Sequence, residues 1–415
     1  MTATTSAGGR GPARLALTAG QVALMATSLV LSLALGYAGG LGAVGALAPA
    51  MLVFQLTCGV LQRSLAEATL LRAASATRTA APADCRRSVA TAVVGGAVGT
   101  VVAVLSSLAV PGGSVDLAVA YAVGIPFAMA LDIGRSAGVA GGASRAVLVE
   151  TVGWLVVQSV LLVAFAAVGE PLLVCLSWTL VNAAFALLAA GRALRRPDFG
   201  GLLRWVRDRR DAMGAASLDA LLVGLTPLLA LQVTALVADA YTLGVIRVVQ
   251  QLFGPLALVS IILRRVLVYQ RTAGTPTTRG RDLRDGALAW STVAVGAAVL
   301  GVAVVLARDL VPALAFLPVG GVLLAAGLEK AALGFSYGAT LSRFVDGDFG
   351  TLLRARYLML GVTVVAAPLL TVWFGAVGYL VAATVGLVGY ALVVVALPRP
   401  ARPVAERVGA GGEVS

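Results

Sequence analysis

The sequence has no histidine and only one lysine among 415 residues. The first absence removes serine and cysteine triads that use imidazole, histidine zinc sites and histidine proton relays. The second removes a GxxxxGK[ST] phosphate loop, because Lys330 stands in GLEKAA, so ATP is not bound in that mode. Directed work must then draw on a gradient, the membrane potential or a partner. Cysteine is nearly as scarce. Cys58, Cys85 and Cys175 are far apart with no CxxC spacing, and they read as small hydrophobic residues rather than a disulfide framework. Charge is thin too, at 12% of residues. The chain is read as a non-enzyme without a cofactor or metal, a coupling ion of unassigned identity being left open.

What the chain has is apolar length. Hydrophobic residues make up 59% and the mean hydropathy is +0.96, which places it among polytopic membrane proteins. About 20 apolar residues span the hydrocarbon core as a helix. On that ruler twelve segments appear, at 15–37, 41–62, 88–110, 115–135, 146–168, 170–191, 215–237, 241–263, 286–306, 311–335, 356–374 and 376–397. The first is too long for the apolar part of a signal peptide and leads into another span, so it is expected to be retained. The fold class is all-α polytopic, with two six-helix lobes in parallel repeat: adding about 200 to the limits of the first half gives those of the second. The expected organisation is an N-terminal tail (1–14), an N-lobe (15–191), a basic linker (192–214), a C-lobe (215–397) and a C-terminal tail (398–415).

The net charge of +12 is explained by topology. Of 31 basic residues, all but Arg247, Arg308 and Lys330 fall in connections on one side. The positive-inside rule then puts both termini in the cytoplasm, with anionic lipid headgroups as the partner and no nucleic acid. Opposite connections are a few residues each, around 38–40, 111–114, 169–170, 238–240 and 307–310, too short for an outer catalytic domain. The linker, with Trp205 and its arginines, suits either an interfacial helix or a solvated charge run.

Candidate functional residues are the polar exceptions inside spans. Arg247 lies inside 241–263, and a cation at hydrocarbon depth costs about 2.5 to 3.5 kcal/mol on insertion scales. Gln250, Gln251 and Gly254 share its helical face, and Pro255 marks a kink. Arg247 either lines a cavity or snorkels outward. Asp219 is either a cavity residue or an interfacial carboxylate; a direct pair between it and Arg247 is not expected. Gln21, Met25, Ser28 and Ser32 form a weakly polar stripe that also reads as helix packing. Asp132 with Arg135, and Glu329 with Lys330, fall near the inner ends of the fourth and tenth spans, as inner-leaflet anchors or a candidate inner gate. Glu67 and its neighbouring arginines read as local ion pairs. Gly95 and Gly99 form a GxxxG pair, read as a close helix contact within the protein.

The twelve spans in two halves, with LQRSLAEATLLR (61–72), ALDIGRSAGVAGG (130–142) and GVIRVVQQLFGPLALV (244–259), resemble polysaccharide exporters of the O-antigen and teichoic-acid type. These belong to the multidrug/oligosaccharidyl-lipid/polysaccharide (MOP) flippase superfamily. The resemblance implies two lobes around a cavity that alternates between the membrane faces and passes a polyprenyl-diphosphate-linked glycan outward across the plasma membrane. It implies cavity arginines, with Arg247 matching in type; the polar residues Gln250, Gln251, Asp219, Gln21 and Ser28 are read as further candidate lining. A guanidinium that forks onto diphosphate oxygens is suitable chemistry. The alternatives are a cation-coupled small-molecule extruder in which Asp219 binds the cation, an integral glycan-assembly enzyme, and a scaffold that recruits glycan-synthesis enzymes.

Overall fold

The computed structural model describes residues 10–66, 82–111, 113–257, 259–260, 278–345 and 348–398. Glu67, most of the loop arginines that follow it, residues 261–263 and the far termini lie outside the described residues. Among those described there is no strand. The helices are α1 (Arg10–Leu61), α2 (Pro82–Leu108), α3 (Val115–Ala122), α4 (Ile125–Ala140), α5 (Ser144–Val168), α6 (Pro171–Ala190), α7 (Leu202–Arg207), α8 (Arg210–Thr234), α9 (Ala240–Leu252), α10 (Arg279–Leu310), α11 (Gly321–Ala339), α12 (Leu341–Val345) and α13 (Phe349–Ala396).

Two of these are too long for one crossing. At 1.5 Å per residue the 52 residues of α1 would reach about 78 Å, more than twice a hydrocarbon core of about 30 Å. Each long helix bends at a glycine in the left-handed region: Gly40 in α1 (φ 69°) and Gly375 in α13 (φ 57°). Only glycine adopts this conformation without a steric cost. At Gly375 the chain turns back, so that a Cβ on Gly378 would overlap the carbonyl of Leu370. Among the described residues eight helices are long and apolar enough to cross a membrane. Counting α1 and α13 twice gives ten crossings; α9 and α11 stand where the other two of the expected twelve fall. Pro255 lies just past the break at Phe253 that ends α9.

The start of the tenth span differs. α10 continues to Leu310, and residues 311–320 form a connection containing a 3₁₀ turn at Pro312–Leu314, so the tenth span starts at Gly321 rather than 311. Pro312, Pro318 and Gly320 (φ 76°) keep this stretch out of a helix. Its apolar residues are used in packing: Leu317 is buried, and Phe316 leaves no room for a side chain on Gly36. An apolar loop had the composition of a span.

The linker makes specific contacts. α7 is only six residues long, and Trp205 is buried, donating from Nε1 to Asp84 Oδ1 at 2.9 Å. Arg209 pairs with the same carboxylate at 2.8 Å and covers the Trp205 ring, while Arg192 and Arg195 both pair with Glu150. The linker is bonded to the N-lobe. Gly95 and Gly99 do face another helix, against Leu61 and Thr57 of α1.

The lobes meet in two different ways. At the arginine-poor end, the second limb of α1 packs on α9 through glycine: a Cβ on Gly45 would overlap the carbonyl of Ala240, and one on Gly244 the carbonyl of Leu41. Small residues allow such close backbone approach between membrane helices. At the arginine-rich end the contact is ionic.

Candidate functional site: the interface between the lobes

Arg247 sits in the third turn of α9, whose start is capped by Asp239 Oδ1 accepting from the Thr242 amide at 2.8 Å. The side chain is 3% exposed, so it does not snorkel. Its Nη1 donates to Gln55 Oε1 at 3.2 Å, from one lobe to the other. Gln55 is exposed although it stands in mid-span. Arg247 Nε and Nη2 are buried with no hydrogen-bond partner. Leaving such donors unpaired costs about 1 to 3 kcal/mol each, more for charged groups. Tyr121, Tyr379 and Glu329 are its electrostatic neighbours. Tyr121 stacks on Trp178 at 4.3 Å, and Tyr379 Oη donates to the Pro227 carbonyl at 3.2 Å. Arg247 therefore faces rings held in place by their own contacts.

Gln250 and Gln251 part company. Gln250 Nε2 reaches Glu329 at 3.5 Å, the limit of a hydrogen bond, whereas Gln251 is buried with Nε2 unpartnered. Glu329 is buried and pairs with Lys330 at 3.1 Å. Because α11 begins at Gly321, Glu329 and Lys330 lie near the middle of their span instead of its inner end. They lie beside the Arg247 helix, at Gln250, rather than at the inner end of the span. Asp132 and Arg135 are likewise deeper than expected, since α4 continues to Ala140. They are not bonded to each other: Asp132 accepts from Gln62 at 2.8 Å, and Arg135 lies 4.4 Å over the Trp154 ring. All four partners are in the N-lobe.

The ionic contact between the lobes is made by other residues. Asp219 on α8 accepts from Arg63, in the π turn Gln62–Ala66 that ends α1, and Arg356 of α13 stands 3.6 Å away on its other side. Arg356 is buried, 3.8 Å from the Tyr390 ring. Asp219 thus holds one guanidinium from each lobe, and no pair with Arg247 forms. Of the first-span stripe, Ser28 is half-buried and donates to its own helix at Leu24 O, 3.0 Å, and Ser32 donates back to Ser28 O. Gln21 is half-buried.

Sequence reasoning missed Gln55, Arg63, Arg356, Tyr121 and Tyr379. Gln55 had a signal, an amide inside an apolar span. Arg63 and Arg356 were counted as topology charges. Nothing in the sequence separates the two tyrosines from ordinary apolar filling.

No protein-family profile and no curated protein matches the chain. Solved structures do. An inward-facing multidrug resistance MATE family transporter of the MOP superfamily aligns with a TM-score of 0.64 at 14% identity, covering 90% of this chain and 92% of its own. The lipid II flippase MurJ, in an inward closed conformation, aligns with a TM-score of 0.65 at 10% identity, covering 90% and 86%. The fold is that of MATE and MurJ. The Vibrio cholerae MATE transporter VcmN aligns over 94% of this chain and 96% of its own, with a TM-score of 0.50 and 14% identity. The Arg247–Gln55 and Asp219–Arg63 contacts each join residues of the two halves of the bundle.

Proposed function

We propose that the chain is a transporter of the MOP type that carries a lipid-linked saccharide across the membrane by alternating access. The supporting observation is Arg247, a buried guanidinium between the lobes with two nitrogens unpartnered. A diphosphate offers several charged acceptors in a forked arrangement that matches those donors. Gln55 and Gln250, with two anchored tyrosines beside them, provide hydrogen bonds and a ring surface for sugar. The acyl or prenyl part of the substrate stays in the bilayer. Asp219 holds the arginine-rich end together through Arg63 and serves as a gate carboxylate.

The test is flipping of a fluorescent polyprenyl-diphosphate saccharide by purified protein in vesicles. Arg247→Gln is expected to lower the initial rate by about 100-fold, since a charge-assisted hydrogen bond contributes about 1.5 to 3 kcal/mol and two are available. Wild-type flipping by that variant overturns the reading.

A second reading, cation-coupled extrusion of small molecules, is favoured by one observation: Glu329 is a buried carboxylate in the same cluster. Asp219 no longer serves that role, because both its oxygens face arginines. Dye efflux driven by a pH or sodium gradient and lost in Glu329→Gln, with no flipping of the saccharide lipid, selects this reading.

A further inference from the structure

We infer that a groove between α5 and α6 at the arginine-rich end binds the headgroup of an anionic phospholipid. The groove is about 640 Å³ and is lined by Arg145, Val149, Glu150, Gly153, Phe185 and Arg192, with flanking alanine and leucine. That volume is in the range of small-molecule sites. The site is separate from the lobe interface and independent of what the protein transports.

The lining divides by chemistry along the membrane normal. Arg145 lies in the first turn of α5 and Arg192 follows the end of α6, so both guanidiniums stand at the arginine-rich rim. Val149 and Leu188 are 73% and 71% exposed, and in a membrane such side chains face lipid. The groove is deep because Gly153 has no side chain: a Cβ there would meet only Phe185, at 4.0 Å. A lipid placed with its phosphate at the rim therefore lays an acyl chain along Val149, Gly153, Phe185 and Leu188.

The charges are unbalanced in the direction an anion needs. Glu150 is the single carboxylate lining the groove, and it serves Arg192 at 2.7 Å and Arg195 at 2.5 Å. Arg195 is buried, and its Nη2 has no partner. Among the described residues Arg145 makes no hydrogen bond or ion pair. Arg192 and Arg195 share one carboxylate and Arg145 has none, leaving an excess of positive charge where a membrane surface supplies phosphate. Each such arginine contributes about 1 kcal/mol of attraction to an anionic leaflet. Here two of them border a pocket rather than a flat surface, which converts a general attraction into a site.

The full-length protein in detergent, titrated with phosphatidylglycerol or phosphatidylcholine and read by native mass spectrometry, tests this. Phosphatidylglycerol is expected to be retained in preference to phosphatidylcholine. Arg145→Gln, which disturbs no internal bond, and Arg145→Gln with Arg192→Gln are expected to weaken retention progressively, by roughly thirtyfold for the pair. Gly153→Leu fills the groove without altering charge and is expected to lower retention as well, with an unchanged melting temperature showing that it folds. Arg308→Gln, at the opposite end, is the control that leaves retention unchanged. Equal retention of both lipids, wild-type retention by the double arginine variant or by Gly153→Leu, or full competition by glycerol phosphate without an acyl chain each overturns the proposal.

Discussion

The two ends of the interface between the lobes are built from opposite materials. At the arginine-poor end the join is Gly45 against Ala240 and Gly244 against Leu41, backbone to backbone with no side chain between. At the arginine-rich end it is Arg63 and Arg356 around Asp219. The glycine seam relies on close packing, which falls off steeply with separation and has no substitute partner in lipid. The ionic clasp can exchange its partners for water or for another anion once the lobes part. On the proposed alternating-access cycle, the seam would be the fixed edge and the clasp the latch.

The largest effect is expected from breaking the seam. Gly244→Leu places a side chain inside the backbone of α1, and forced overpacking costs about 3 kcal/mol or more where backbone must move. The expected result is loss of a monodisperse species in size-exclusion chromatography, and a normal profile would show that the seam is not tight. The clasp should yield more gently. Asp219→Asn leaves two guanidiniums facing each other and is expected to cost about 1 to 3 kcal/mol of stability. It should also raise the labelling rate of a cysteine introduced on the facing surface of α8, against a low background because Cys58, Cys85 and Cys175 are buried. Arg63→Gln sharpens the comparison, since it removes only the cross-lobe half of the clasp. A similar rise in labelling with a smaller stability loss assigns the latch to Arg63, whereas no rise in either variant refutes it.

The smallest effect lies beside the seam. Hydrogen bonds from the Thr242 side chain and amide hold the Asp239 carboxyl below the usual carboxylate range. A depressed folded-state pKa gives stability that is present above the unfolded value and lost as pH falls through the folded one. Asp239→Ala is expected to cost about 1 kcal/mol or less at neutral pH, and the difference from wild type should shrink on acidification. A constant difference in melting temperature across that range would show that the carboxylate charge is not involved.

The number and pairing of spans were legible in composition because the bilayer imposes a length and an apolar content that few other structures share. The turns at Gly40, Gly169 and Gly375 were legible as well, being glycines between apolar runs. The arginines were legible only in sum. Arg135, Arg195, Arg343 and Arg356 all belonged to the inside-positive count, yet each is buried on a specific partner. The positive-inside rule counts charges without saying where they point. Helices that overrun a 20-residue ruler also draw nominal loop residues into the bundle. The same effect hid the depth of Glu329, because ten apolar loop residues had been credited to its span. Arg247 stood out for the opposite reason: orientation did not account for it, and its burial beside Gln55 supplies the reason that a sequence cannot.

The bonds of the linker to Asp84 and Glu150 bear on protein engineering. α8 begins at Arg210, directly after Arg209 is fixed to the N-lobe, so the described path between the two lobes has almost no slack. Cutting the chain at 192–209, or inserting a reporter there, would remove part of the N-lobe's own packing instead of lengthening a tether. Split halves intended to reassemble would be better divided so that this stretch travels whole with the N-terminal piece.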